Sequence, residues 1–193
     1  MYNSYKSIES ISPAFRKSVK TAKEALEKSR EKAIQSEILM AQACQAVGIG
    51  LAQARQGRFE RIKPSEAITL GDMSTDLDRC GNGVRVAEKA LDAKCAEALT
   101  EPAVRIQIAE RLNELANTIT TSDGVLQNSI NEIATLESGM QASKAMKEEL
   151  RFARKGRTSL IRGHQGSSPD PHEVASKAKD FAVVLADSSA VPA

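Results

Sequence analysis

Residues 12–47 read SPAFRKSVKTAKEALEKSREKAIQSEILMAQACQAV, and the spacing of apolar and small residues in this stretch decides the fold class. Ser12-Pro13 is an N-cap followed by proline at the first helical position, where its missing N–H is no loss. From Phe15 onward, Val19, Ala22, Leu26, Ser29, Ala33, Ser36, Met40, Ala43 and Val47 follow at alternating spacings of four and three. That is a heptad-like seam, thinned by serine and alanine. A second stripe at Ile34, Ile38 and Ala41 widens the apolar face toward the C-terminal half. The outer charges (Lys23, Glu24, Glu27, Lys28, Glu31, Lys32) have both signs and suit a solvated face. The pattern predicts a long helix over 13–61, running past Gly48 and Gly50.

Working outward, residues 1–12 read as a polar leader. Lys63-Pro64 should break the helix, since proline lacks a donor and its ring clashes with the preceding turn. Residues 62–83 then read as a mixed segment ending in a turn at Gly81-Asn82-Gly83. Val84, Ala87, Leu91, Cys95 and Leu99 mark a helix over 84–99. Val104, Ile108, Leu112, Leu115 and Ile119 mark another over 101–120, closed by Thr121-Ser122-Asp123-Gly124. A third, over 125–155, carries Leu126, Ile130, Ile133, Leu136, Met140, Met146, Leu150 and Ala153, with Ser143 in its one wide gap. Two similar helices joined by a short turn make an antiparallel hairpin. Residues 156–170 form a Gly/Ser/Pro linker. Residues 171–193 form a C-terminal helix, with Val174, Ala178, Phe181 and Leu185 on one face, and a tail. No window alternates with period two, and no repeat is evident. The expected fold is all-α: a long N-terminal heptad-like helix, an antiparallel helical hairpin and a short C-terminal helix, extended and coiled-coil-like.

Composition narrows the function classes. A chain of 193 residues fits one domain with extensions. Aromatic residues are only 3%, which disfavours β-sandwiches and base-stacking platforms. The net charge of +2 selects no partner, and three cysteines without a C-x-x-C pair argue against a disulfide framework. Lysines and arginines punctuate the first thirty residues without an apolar run. The expectation is synthesis in the cytoplasm without a signal peptide, followed by incorporation into a particle or export.

Catalytic chemistry finds no footing. The two histidines, His164 and His172, flank the linker without metal-ligand spacing. Cys44 and Cys95 fall on apolar helix faces and behave as small hydrophobes, leaving Cys80 as the accessible thiol. Asp76-Leu77-Asp78-Arg79-Cys80-Gly81 resembles the opening of a calcium loop, but Cys80 stands where an oxygen ligand belongs and Ala87 where the bidentate glutamate belongs. Phosphate-loop and nucleophile-elbow motifs do not occur. Neither enzyme activity, a cofactor, a metal nor a small-molecule substrate is expected.

Two features remain. Residues 38–54 carry no charge, between Glu37 and Arg55. Such a stretch suits a helix end buried against neighbours, and sits at the short edge of what spans a hydrocarbon layer. Residues 144–162 hold seven basic residues against two acidic ones. Lys147, Arg151, Arg154 and Lys155 share a helix face, and Arg157 and Arg162 follow. This stripe suits a helix C-terminus, or anionic lipid or non-specific nucleic-acid contact. Thin faces of alanine, serine and glutamine bury little area, and further copies or other subunits would supply the missing burial. The expected function is a non-enzymatic structural subunit of a large oligomeric assembly, such as a virion component or secretion-type apparatus. Its contacts would run through Phe15, Val19, Leu26, Ile34, Ile38, Met40 and Val47. The alternatives are a membrane-active protein inserting residues 38–54 and a nucleic-acid accessory protein using the basic stripe.

Overall fold

Ser12 starts the long helix as its position requires: its Oγ accepts the Phe15 N–H at 3.0 Å and donates to Gln107 Oε1 at 2.6 Å. The computed structural model describes residues 5–59, 62–121, 126–153, 159–161 and 170–187. Every regular element among them is a helix, so the protein is all-α. In chain order these are α1 (Lys6–Ile11), α2 (Pro13–Ala46), α3 (Leu51–Arg55), α4 (Pro64–Ala98), α5 (Pro102–Thr121), α6 (Leu126–Gln141), α7 (Lys144–Ala153) and α8 (Pro171–Ala186). They fall into two compact units, one of Met1–Lys20 with Asp92–Ala193, the other of Thr21–Leu91.

The first unit is built on α5. Its wide stripe buries Val104, Ile108, Ala109, Leu112, Leu115, Ala116 and Ile119. Packed against it, α8 seats Val174, Ala178, Phe181 and Leu185, and starts on an Asp170 cap whose Oδ1 accepts the His172 N–H at 3.0 Å. α6 and α7 add Ile130, Ile133, Leu136, Met140, Met146 and Leu150, all buried. Each full burial of such a side chain stabilises by roughly 1.5–3 kcal/mol. Charged side chains are taken inside as well. Arg105, 2% exposed, makes a bidentate pair with Glu149 at 2.9 and 2.8 Å and donates through Nε to the Leu185 carbonyl at 3.2 Å. That side chain ties α5, α7 and the last turn of α8 together. Glu137, also buried, accepts the Leu160 N–H at 2.6 Å and the Ser159 hydroxyl at 3.1 Å, which holds 159–161 against α6.

The second unit is a pair of long helices with α3 at the tip. α2 and α4 run antiparallel, with Arg30 meeting Glu88 at 2.9 Å while Met40 and Cys44 pack with Leu70 and Leu77. Ala54 of α3 joins that cluster.

Four sequence expectations are corrected. The polar leader contains α1, because Tyr5 and Ile8 are buried and Tyr5 stacks on Phe15 with ring centroids 6.1 Å apart. The helix expected over 13–61 ends at Ala46. Gly48 takes a left-handed φ of 74°, and paired bonds close the terminus: Ile49 N–H to Cys44 O at 3.0 Å, Gly48 N–H to Gln45 O at 3.2 Å. α3 ends the same way at Gly57, φ 67°. The mixed segment over 62–83 and its glycine turn are instead part of α4, which runs unbroken through Gly71, Gly81 and Gly83. Its apolar stripe explains why: Leu70, Met73, Leu77, Cys80, Val84, Ala87 and Leu91 continue one heptad seam, each buried or half-buried. Packing outweighs the poor helix propensity of glycine. Finally, the helix over 125–155 divides at Ala142 and Ser143, where Ser143 is buried and its carbonyl accepts the Lys147 N–H at 3.0 Å.

Candidate functional site

The contact residues expected from the sequence separate into two groups. Phe15, Val19, Leu26 and Met40 were expected to meet a neighbouring subunit, and the structure seats them inside the chain's own core. Phe15 and Val19 belong to the first unit. In the second, Leu26 is buried and Met40 lies in the cluster with Cys44, Ala54, Leu70 and Leu77, against which Val47 is half-buried. In the second unit the correction has a simple cause: α4 carries a matching heptad seam, whose Leu70 and Leu77 pack with Met40 and Cys44; in the first, Phe15 stacks on Tyr5.

Ile34 and Ile38 are different. They point away from the seam and are 58% and 45% exposed, with Leu39 beside them at 47%. Spacings of four, three and four put Ile34, Ile38, Ala41 and Gln45 on one side of α2. Gln35, Leu39, Gln42 and Ala46 complete the outward surface. Of the nine exposed residues from 34 to 46, only Glu37 is charged, and Arg55 neutralises it at 3.0 Å. One stretch earlier on the same helix, six of the eight exposed residues from 21 to 32 are charged. The two halves of one solvent-facing surface therefore have opposite character. Leu39 is a member that sequence reasoning missed, since it lies off both apolar stripes.

The same geometry bears on the membrane alternative. Residues 38–54 are not one helix but the end of α2, a glycine-closed turn and α3. Among the described residues, no helix is long and apolar enough to cross a membrane.

Of the expected basic stripe, Lys147 and Arg151 are exposed on α7, one turn apart, and Arg151 lies 3.8 Å from Glu148. Arg154, Lys155, Arg157 and Arg162 lie outside the described residues. The segment resembling a calcium loop, 76–81, lies within α4 and so cannot wrap an ion; no group of three or more histidine, cysteine or acidic side chains that could hold a metal occurs among the described residues.

The thiols sort by environment. Cys80 is half-exposed, while Cys44 and Cys95 are buried. Burial, helped by the nearby carboxylates of Asp92 and Glu9, pushes the Cys95 thiol up to about 12, and burial also raises Cys44. Neither is a nucleophile at neutral pH. The ion pairs are structural in the same sense: Arg111 bridges Glu132 of α6 at 2.7 Å and Glu114 of its own helix at 2.9 Å, which raises its already high pKa.

The chain matches no family model, no curated protein and no solved structure.

Proposed function

We propose that this protein is a non-enzymatic structural subunit of a large oligomeric assembly, of the kind found in virions or secretion-type apparatus, and that it acts through helix–helix contacts. The observation that carries the reading is the outer face of α2 between 34 and 46. There Ile34, Ile38 and Leu39 are about half exposed on a surface whose single charge is neutralised within the chain. A helix face meant only for water is expected to look like residues 21–32, dense in charge of both signs. Uncharged glutamine and alanine between exposed isoleucines instead suit a surface that loses its water to another helix. The contact set is therefore Ile34, Ile38 and Leu39, not the seam that α4 covers.

The experiment is to measure the size of the species containing the chain in gentle extracts of the cells that naturally make it. A particle many times the chain mass of 20.8 kDa is expected. A species of the chain mass alone overturns the proposal.

A further inference from the structure

We propose that the pair formed by α2 and α4 has a weak waist, a hinge section that opens locally while the pair stays closed on either side of it; this stands independently of the subunit reading. The waist is visible on both helices. On α2, Leu26 and Met40 are buried, and every residue from 27 to 39 is exposed or half-buried. On α4, Leu77 and Leu91 are buried, and every residue from 78 to 90 is exposed or half-buried. The two gaps coincide. Arg30 meets Glu88 at 2.9 Å, and in an antiparallel pair each step forward on α2 is a step back on α4. To within one residue, Leu26 is then level with Leu91, and Met40 with Leu77. One section about 20 Å long therefore lies between two buried layers.

The seam across this section is made of small side chains, Ser29, Ala33 and Ser36 from α2 with Cys80, Val84 and Ala87 from α4. Such a seam is tight only where two backbones approach closely. The glycines show that they do not: a Cβ built on Gly81 or Gly83 meets nothing within 4 Å. Neither glycine has a left-handed φ, so neither serves a turn. What both do is weaken the helix, each by about two- to fivefold relative to alanine, and Asn82 between them is a poor helix former as well. The ion pair of Arg30 and Glu88 crosses the waist, but both side chains are about half exposed and such pairs add little. Helix propensity is thus lowest where buried contact is least, and local stability follows both.

At the other end of the gap, Met40, Cys44, Leu70 and Leu77 form a buried cluster with Ala54. Opening the waist leaves that cluster intact, so the helices bow apart in the middle without losing their register.

The test is native-state hydrogen exchange of the full chain, followed residue by residue by NMR and expressed as protection relative to the unfolded chain. Amides of 31–38 and 82–88 should be protected at least tenfold less than those of 73–77, which belong to the same unit. Gly81→Ala with Gly83→Ala should raise protection over 82–88 by about five- to twenty-fivefold and change that of 73–77 by less than twofold. Circular dichroism verifies that the variant is folded. Equal protection across the waist and 73–77 in the parent overturns the inference. So does a double variant that leaves 82–88 unchanged, or one that slows 73–77 equally, since the pair would then open as a single piece.

Discussion

Replacing Gly71, Gly81 and Gly83 together by alanine should stabilise the protein, and the size of the effect follows from the geometry of α4. All three lie inside the helix, and none has the positive φ that is confined to Gly48 and Gly57 among the described glycines. A Cβ built at each meets nothing within 4 Å. No steric cost therefore opposes the gain from restricting the unfolded chain, about 0.5–1 kcal/mol for each mid-helix glycine. Gly81 and Gly83 are two residues apart and do not face each other, so the gains should add to about 1.5–3 kcal/mol. At about 2–4 °C per kcal/mol for a chain of this length, thermal melting followed at 222 nm should shift up by roughly 3–12 °C. The opposite sign is expected at the helix termini. Gly48→Ala and Gly57→Ala also meet no neighbouring atom, yet their φ values of 74° and 67° force a left-handed backbone, at about 1–2 kcal/mol each. If the triple variant melts at or below the parent, residues 71–83 are not helical. The turn read from Gly81-Asn82-Gly83 would then stand, and α4 would not cover the α2 seam.

Two further outcomes probe the first unit. Arg105→Ala leaves the part-buried Glu149 carboxylate and the Leu185 carbonyl without their donor, and should cost about 1–3 kcal/mol by urea unfolding; Arg105→Met with Glu149→Leu should recover most of it, and a single variant as stable as the parent refutes the clamp. Cys95 keeps its proton in the folded state to about 12, against 9.0 for an ordinary thiol. Its contribution is therefore complete below pH 9 and is lost as pH climbs toward 12. Burial raises Tyr5 in the same direction. Urea midpoints should fall between pH 8 and pH 11, more steeply in the parent than in Cys95→Ala, and equal slopes in the two refute the assignment.

The helix class and half of the helix starts were legible because they rest on local chemistry. Ser12-Pro13 and Asp170-Pro171 announce caps that the structure contains, and Val104, Ile108, Leu112, Leu115 and Ile119 are all buried as their spacing requires. Glycine misled in both directions. Gly48 was read through as helix although it terminates α2, whereas Gly81 and Gly83 were read as a turn although they lie mid-helix. Composition alone cannot separate these cases, since the outcome depends on whether an apolar seam continues beyond the glycine. Leu70, Met73, Leu77 and Cys80 do continue the stripe that begins at Val84, and counting backward from Leu91 finds them. α1 left no comparable signal, because six residues hold too few apolar positions to show a period. The proposed contact face is half legible: Ile34 and Ile38 form a second stripe in the sequence, but which stripe faces the core depends on α4, a helix that the sequence reading breaks.

That dependence changes where an interface can lie. A seam rich in alanine and serine is thin, and the inference that something must cover it is sound physics; the cover is another part of the same chain. Phe15, Val19, Leu26 and Met40 are buried within the chain and have no surface left to offer a neighbour. The large apolar residues still facing water on α2 are those on its back, Ile34, Ile38 and Leu39. Solubility alone would favour charge at these positions, as the same helix has at Glu24, Glu27, Lys28, Glu31 and Lys32. Both patterns occur on one continuous helix, so helix propensity and exposure do not account for the difference. What changes between residues 32 and 34 is the chemistry of the surface, from one dense in charge of both signs to one whose single charge, Glu37, is paired within the chain. Ile34→Lys and Ile38→Lys would extend the charged pattern without touching the buried cluster, and would therefore test the proposed association while leaving the fold of the second unit intact.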